Sequence, residues 1–202
     1  PLYLLDLGIN IEIHDSQGWT LLMWAANNGH SKVVELLLNG GARINDSTEK
    51  NSDDSDWTPL MLAAGGGHIE TVKILINKGS DLEAQDEDNW TALTWASIKG
   101  YHAIVSMLAN NGARIDVRSF DGSTPLIWSA SQGHENVVQT LLAKGSNVKL
   151  KDLHGKTALA HAILQGHLST AKKLIKHGAD LNQNLLYASQ RGYNEMILFL
   201  LE

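Results

Sequence analysis

Four histidines, His30, His68, His134 and His167, each follow a glycine directly and are the most regular metal-capable residues in the 202-residue chain. A zinc site needs several donors converging on one point, and none of the four has a second ligand at metal spacing within its own helix-length stretch. They read as structural. Gly155-Lys156-Thr157 has the form of the end of a phosphate-binding loop, but the glycine required five positions before Gly155 is Leu150. Gly65-Gly66-Gly67 lacks both the lysine and the preceding strand of a nucleotide site. The acidic stretch Asp46–Asp56 lacks the glycine and terminal glutamate of a calcium loop. No conspicuous polar residue comes with a base, nucleophile or metal set, so neither catalysis nor a cofactor is expected. What remains is recognition chemistry, in six tryptophans interleaved with carboxylates.

The elements that must carry these residues follow from self-similarity. Thr20, Thr58, Thr91, Thr124 and Thr157 are spaced by 38, 33, 33 and 33 residues. Gly29, Gly67, Gly100, Gly133 and Gly166 keep the same steps, as do Gly41, Gly79, Gly112, Gly145 and Gly178. A 33-residue register with one five-residue insertion runs through nearly the whole chain. Each threonine suits the N-cap of a first helix, with Pro59 and Pro125 at the first helical position. The first glycine series ends that helix, and a second helix follows, with Leu37, Leu75, Leu108, Leu141, Leu174 and Leu200 eight residues after the glycine. One unit alone leaves its apolar faces wet, so the units stack into an all-α solenoid of helix-turn-helix repeats joined by hairpin-like turns. The register divides the chain into a partial repeat at 1–14, a repeat with the insertion at 15–52, repeats at 53–85, 86–118, 119–151 and 152–182, and a truncated one at 183–202.

Gly18-Trp19-Thr20, Thr58-Pro59-Leu60, Ala63-Ala64, Gly67-His68 and Gly178-Ala179-Asp180 resemble the signature of ankyrin repeats over essentially the whole chain. That resemblance implies protein–protein binding, without chemistry, on a concave side made of turn tips and first helices. Where the family places a histidine after Thr-Pro-Leu, this chain has Met23, Met61, Thr94, Ile127 and Ala160, so the family's histidine bonds between turns are expected to be missing. Asn182 resembles the ankyrin asparagines that a β-hydroxylating oxygenase modifies, although the leading reading is an asparagine that simply satisfies turn amides, since the equivalent positions of the other repeats mostly lack Asn.

Within the first helix, Leu22, Ala25, Ala26 and Gly29 form the buried stripe, and Trp24 falls roughly opposite Leu22. Repetition gives a row of Trp24, Leu62, Trp95, Trp128 and His161 along the open side. The residue before each capping threonine gives a second row, of which Trp19, Trp57 and Trp90 are aromatic. Turn carboxylates accompany them, among them Glu87, Asp88 and Asp121, the last beside Phe120. A Lys or Arg over an indole face gains about 0.5–2 kcal/mol. The expected partner is therefore a protein or peptide with basic and apolar anchors; the competing reading is a purely structural tryptophan ladder.

A net charge of -6, from 22 acidic against 16 basic residues, argues against nucleic acid, which is held by Lys and Arg on phosphates. No apolar run is long enough to enter a membrane, and the absence of cysteine fits an intracellular, reducing compartment. A monomer is expected. The chain begins and stops inside second helices without polar caps, as a fragment of a longer array would. A scaffold or adaptor module is the leading expectation; a targeting arm of a larger enzyme and a self-associating spacer are the alternatives.

Overall fold

A computed structural model of the chain describes residues 10–48, 56–181 and 184–201. Asn182, residues 49–55 of the acidic insertion and residues 1–9 lie outside the described residues. The helices pair as first and second members of each repeat: α1 (Leu21–Asn27) with α2 (Ser31–Asn39), α3 (Pro59–Gly65) with α4 (Ile69–Asn77), α5 (Ala92–Lys99) with α6 (His102–Asn110), α7 (Pro125–Ser131) with α8 (Glu135–Ala143), α9 (Ala158–Leu164) with α10 (Leu168–Lys176), and α11 (Asn184–Arg191) with α12 (Asn194–Leu201). First helices stack on first helices and second on second, each touching its sequence neighbours. The described residues contain no β-strand, only isolated bridges such as Lys151 to Thr157 beneath a turn. This is the expected all-α solenoid.

Each first helix starts where its threonine can satisfy an orphan amide. Thr20, Thr58, Thr91, Thr124 and Thr157 all accept from the backbone N–H three residues on, at 3.1–3.4 Å. Each ends at a glycine in the left-handed region, Gly133 for example at φ 73°. There the lack of a Cβ has a second use: a Cβ on Gly133 would stand 2.6 Å from Nδ1 of His167. That ring spans two repeats, its Nε2–H donating to the Ser131 carbonyl at 3.1 Å. His68 does the same to Asn27 and His134 to Ile98, both at 2.8 Å. Three of the four post-glycine histidines, His68, His134 and His167, are thus rivets between units.

The core is one continuous column. Leu22, Ala25 and Ala26 are buried as the helical period requires, and so are Leu37, Leu75, Leu108, Leu141 and Leu174 of the second helices. The apolar position after the second glycine is looser, with Ile44, Leu82 and Ile115 half-buried and Leu181 exposed.

The turns project as fingers, closed at the base by the residue five before the capping threonine. Asp15, Asp86, Ser119 and Asp152 each donate their N–H to the carbonyl of Trp19, Trp90, Ser123 and Lys156 respectively. In the inserted repeat Thr48 takes this role, donating to Trp57 O at 3.1 Å. The five extra residues therefore enter between Thr48 and Trp57.

Candidate partner-binding groove

Finger bases and first helices are tied together by side chains, and those ties set the geometry of the tryptophans. The indole N–H of Trp24 donates to Asp15 Oδ2 at 2.9 Å, and that of Trp95 to Asp86 Oδ2 at 2.8 Å. Trp128 reaches Ser119 Oγ at 3.4 Å, and His161 takes the same place with Nε2 on Asp152 Oδ2 at 2.8 Å. The expected loss of histidine ties is thus offset one residue further along four of the first helices, α3 with Leu62 at that position being the exception. At the family's own position Met23 Sδ accepts from the Thr20 amide at 3.4 Å, and Thr94 bonds Thr91 through their hydroxyls at 3.2 Å. An indole has one donor and no acceptor. Once that donor is turned inward, a bound tryptophan offers only its ring to solvent.

The rings form a ladder rather than the two separate rows expected. Trp57 and Trp95 meet with centroids 4.7 Å apart at 60°, Trp90 and Trp95 at 4.7 Å and 74°, and Trp90 and Trp128 at 5.4 Å and 71°. These are edge-to-face contacts, the arrangement that the ring quadrupoles favour. Trp19 and Trp24 form a separate pair at 4.7 Å. Trp24 remains 44% exposed, and Trp57, Trp90, Trp95 and Trp128 are half-buried.

Two residues expected on the open side are corrected. Leu62 is only 2% exposed and Trp19 only 7%, because they pack together with Met23 beneath Trp57. A helical wheel places Leu62 outward, but the longer aromatic rings of neighbouring fingers close over it. Its shortness has a consequence for the surface. Where its neighbours carry an indole, the groove has a hollow of about 190 Å³, lined by Asn27, Trp57, Leu62, Gly65, Trp95 and Lys99. Gly65 forms part of its wall, 3.7 Å from the Trp95 ring if it carried a Cβ. Lys99 has no signal in the sequence that separates it from an ordinary solvated lysine.

The carboxylates divide into two groups. Asp86 is buried, and burial pushes its carboxyl above the ordinary range, with Asp88 adding to the rise, even though the Trp90 amide, Trp95 indole and Asp88 amide all donate to it. Burial would also raise Asp121, but the Ser119 hydroxyl and the Ser123 amide and hydroxyl outweigh it and hold Asp121 below the usual range. Both serve their own turns. Glu87 and Asp88 are exposed at the finger tip, open to a ligand, and Phe120 projects from the next tip at 77% exposure. No group of three or more His, Cys, Asp or Glu that could hold a metal occurs among the described residues.

Comparison with known proteins agrees with this architecture. A 47-residue stretch is 49% identical to calmodulin-binding transcription activator 6 of Arabidopsis thaliana, covering 22% of this chain and 6% of that protein. A 37-residue stretch is 51% identical to activator 5 of the same plant, covering 18% of this chain and 4% of that one. The chain thus spans only a small part of these relatives. The model of ankyrin repeats matches three times, at residues 2–48, 46–119 and 112–184. Matched from residue 2 to residue 184, the chain belongs to the ankyrin-repeat family and is a protein-binding array of such repeats.

Proposed function

We propose that the chain binds a partner segment carrying basic and apolar anchors on the groove formed by Trp24, Trp57, Trp90, Trp95 and Trp128. The observation that carries this is the inward turn of the Trp24 and Trp95 donors, which leaves the partly exposed rings to face a partner apolar-side first, with the exposed carboxylates of Glu87 and Asp88 on the finger that also carries Trp90. Where the indole donor is turned inward, at Trp24, Trp95 and Trp128, the ring suits apolar groups and cations rather than hydrogen-bond acceptors. The hollow over Leu62 suits one apolar side chain, and Glu87 and Asp88 suit a neighbouring Lys or Arg. The matched relatives share too little of this chain to carry a partner across. An intracellular setting accords with the lack of cysteine. Asn182 as a hydroxylation site remains a separate proposal, tested by whether the intact cellular protein carries an added oxygen.

The test is selection from a peptide library by the purified chain and by a Trp24/Trp95/Trp128→Ala variant whose helicity is checked by circular dichroism. Enrichment of basic–apolar peptides by the parent alone is the expected result. Glu87→Lys with Asp88→Lys touches only exposed side chains and should weaken the selected peptide by about tenfold or more, most strongly at low salt. If parent and triple variant select the same peptides, the groove reading fails. The edge-to-face ring contacts favour a second reading, a ladder that stiffens adjacent fingers; under it the triple variant loses stability and no peptide is selected.

A further inference from the structure

The fingers lean on one another, and one of them is missing. Phe120 N–H donates to Asp88 O, and one repeat later Leu153 N–H donates to Asp121 O, both at 2.9 Å. Leu153 also roofs the preceding finger: a Cβ on Gly122 would lie 3.0 Å from the Leu153 nitrogen and 3.1 Å from its Cγ. The next equivalent of Gly122 is Gly155, and a Cβ there would meet nothing within 4 Å. The cause is in the spacing. Gly166 and Gly192 are 26 residues apart instead of 33, and α9 and α11 each begin eight residues before their glycine, so the seven residues lost are those that would build the next finger.

The gap is a hollow of about 130 Å³, with Lys151, Gly155 and Thr157 on the side of the last finger and Asp180, Asn184 and Tyr187 on the other. Asn184 is only 4% exposed; its Nδ2–H donates to Asp180 O at 2.7 Å, while its Oδ1 is buried and accepts nothing. Buried amide oxygens are normally satisfied, and this one belongs to a side chain that lines the hollow, so a donor seated there meets it once that side chain shifts into the hollow. Around it lysines outnumber carboxylates, the reverse of the groove: Lys149 and Lys151 are exposed and Lys156 half-buried, against Asp152, already bonded to His161, and Asp180 in the far wall of the hollow.

We propose that this gap is a second docking site, distinct from the tryptophan groove, which takes a turn or extended segment of an acidic partner protein in place of the absent finger. The segment's backbone N–H meets His154 O, the counterpart of Asp88 O and Asp121 O, and an apolar side chain covers Gly155 as Leu153 covers Gly122. An amide donor satisfies Asn184 Oδ1, and carboxylates face Lys149 and Lys151. Charge complementarity commits the occupant to an acidic segment.

The probe is a peptide copying residues 150–158 with both lysines changed to glutamate, titrated against the ¹⁵N-labelled chain beside the unmodified lysine peptide. Resonances of Gly155, Lys151 and the Asn184 side-chain amide should shift, with the glutamate peptide binding more tightly by about two- to fivefold for each charge pair. Asn184→Ala should abolish the shifts at Gly155. Because that variant also loses the bond to Asp180 O, Lys151→Glu serves as a second one that leaves the fold untouched, and it should reverse the preference towards the lysine peptide. The proposal is overturned by an absence of shifts at millimolar peptide, by shifts confined to the tryptophan groove, or by an unchanged preference in Lys151→Glu.

Discussion

Residues of one type at one repeat position do different work here according to what faces them. Asp86 and Asp152 both close a finger and both accept from the first helix, yet they titrate in opposite directions. Burial raises Asp86. Burial also acts to raise Asp152, but the His161 side-chain bond, the Lys156 amide and the neighbouring His161 ring reverse the sign and hold it low. A lowered native value means stabilisation that is present above the unfolded pKa, about 3.9, and is lost as the pH falls through the native value. Asp86 contributes the other way, favouring the native state in acid and losing that contribution as the pH rises through its raised value. Asp152→Asn should therefore destabilise the chain by about 1–3 kcal/mol at neutral pH, with the deficit shrinking in strong acid. Urea midpoints of parent and variant at neutral pH and near pH 3 check this, and an equal deficit at both would show that the charge of Asp152 does not matter.

At the scale of elements, the glycines that end first helices and those that end second helices share a backbone conformation but not a neighbourhood. Gly133 and Gly145 lie at φ 73° and 88°, so an alanine at either meets the same left-handed strain of about 1–2 kcal/mol. Only at Gly133 would the new methyl group strike the His167 ring, whereas at Gly145 there is nothing within 4 Å. Gly133→Ala should cost about 1 kcal/mol more than Gly145→Ala through the lost bond to Ser131 O, a difference that denaturant midpoints resolve. The existence of these helices was legible because capping threonines, closing glycines and the leucine period all report local chemistry. Leu62 was not, since a wheel describes one helix and the rings packed with Leu62 come from outside it, Trp19 on the preceding finger and Trp57 on the finger that leads into α3. The substitute role of Thr48 was hidden for a related reason: Asp53 stands at the regular distance from Thr58, and only the bond from Thr48 N to Trp57 O shows where the finger closes. The open oxygen of Asn184 follows from a deletion the spacing reveals, but its burial needs the packed α11.

Over the whole molecule, stacking converts local sequence differences into a charge gradient, because repeats that follow one another in the chain also follow one another in space. Residues 81–88 hold five carboxylates and no base, while residues 144–176 hold seven lysines against one aspartate. The solenoid is therefore an electric dipole along its axis, and a segment lying across several repeats of the groove has a preferred polarity. Its basic end should lie at Glu87 and Asp88 and its apolar or acidic end towards Lys151. A selected peptide carrying a nitroxide at its basic end should broaden the amide signals of Glu87–Trp90 and spare those of Lys151–Lys156, and a label at the other end should do the reverse. Because exposed charges act within about 8–10 Å at physiological salt, raising the ionic strength should blur this polarity before it abolishes binding, as the apolar contacts to the ring faces are not screened. Equal broadening at both ends from either label, at low salt, would mean that the indole ladder alone positions the segment and that the charge gradient plays no part in its register.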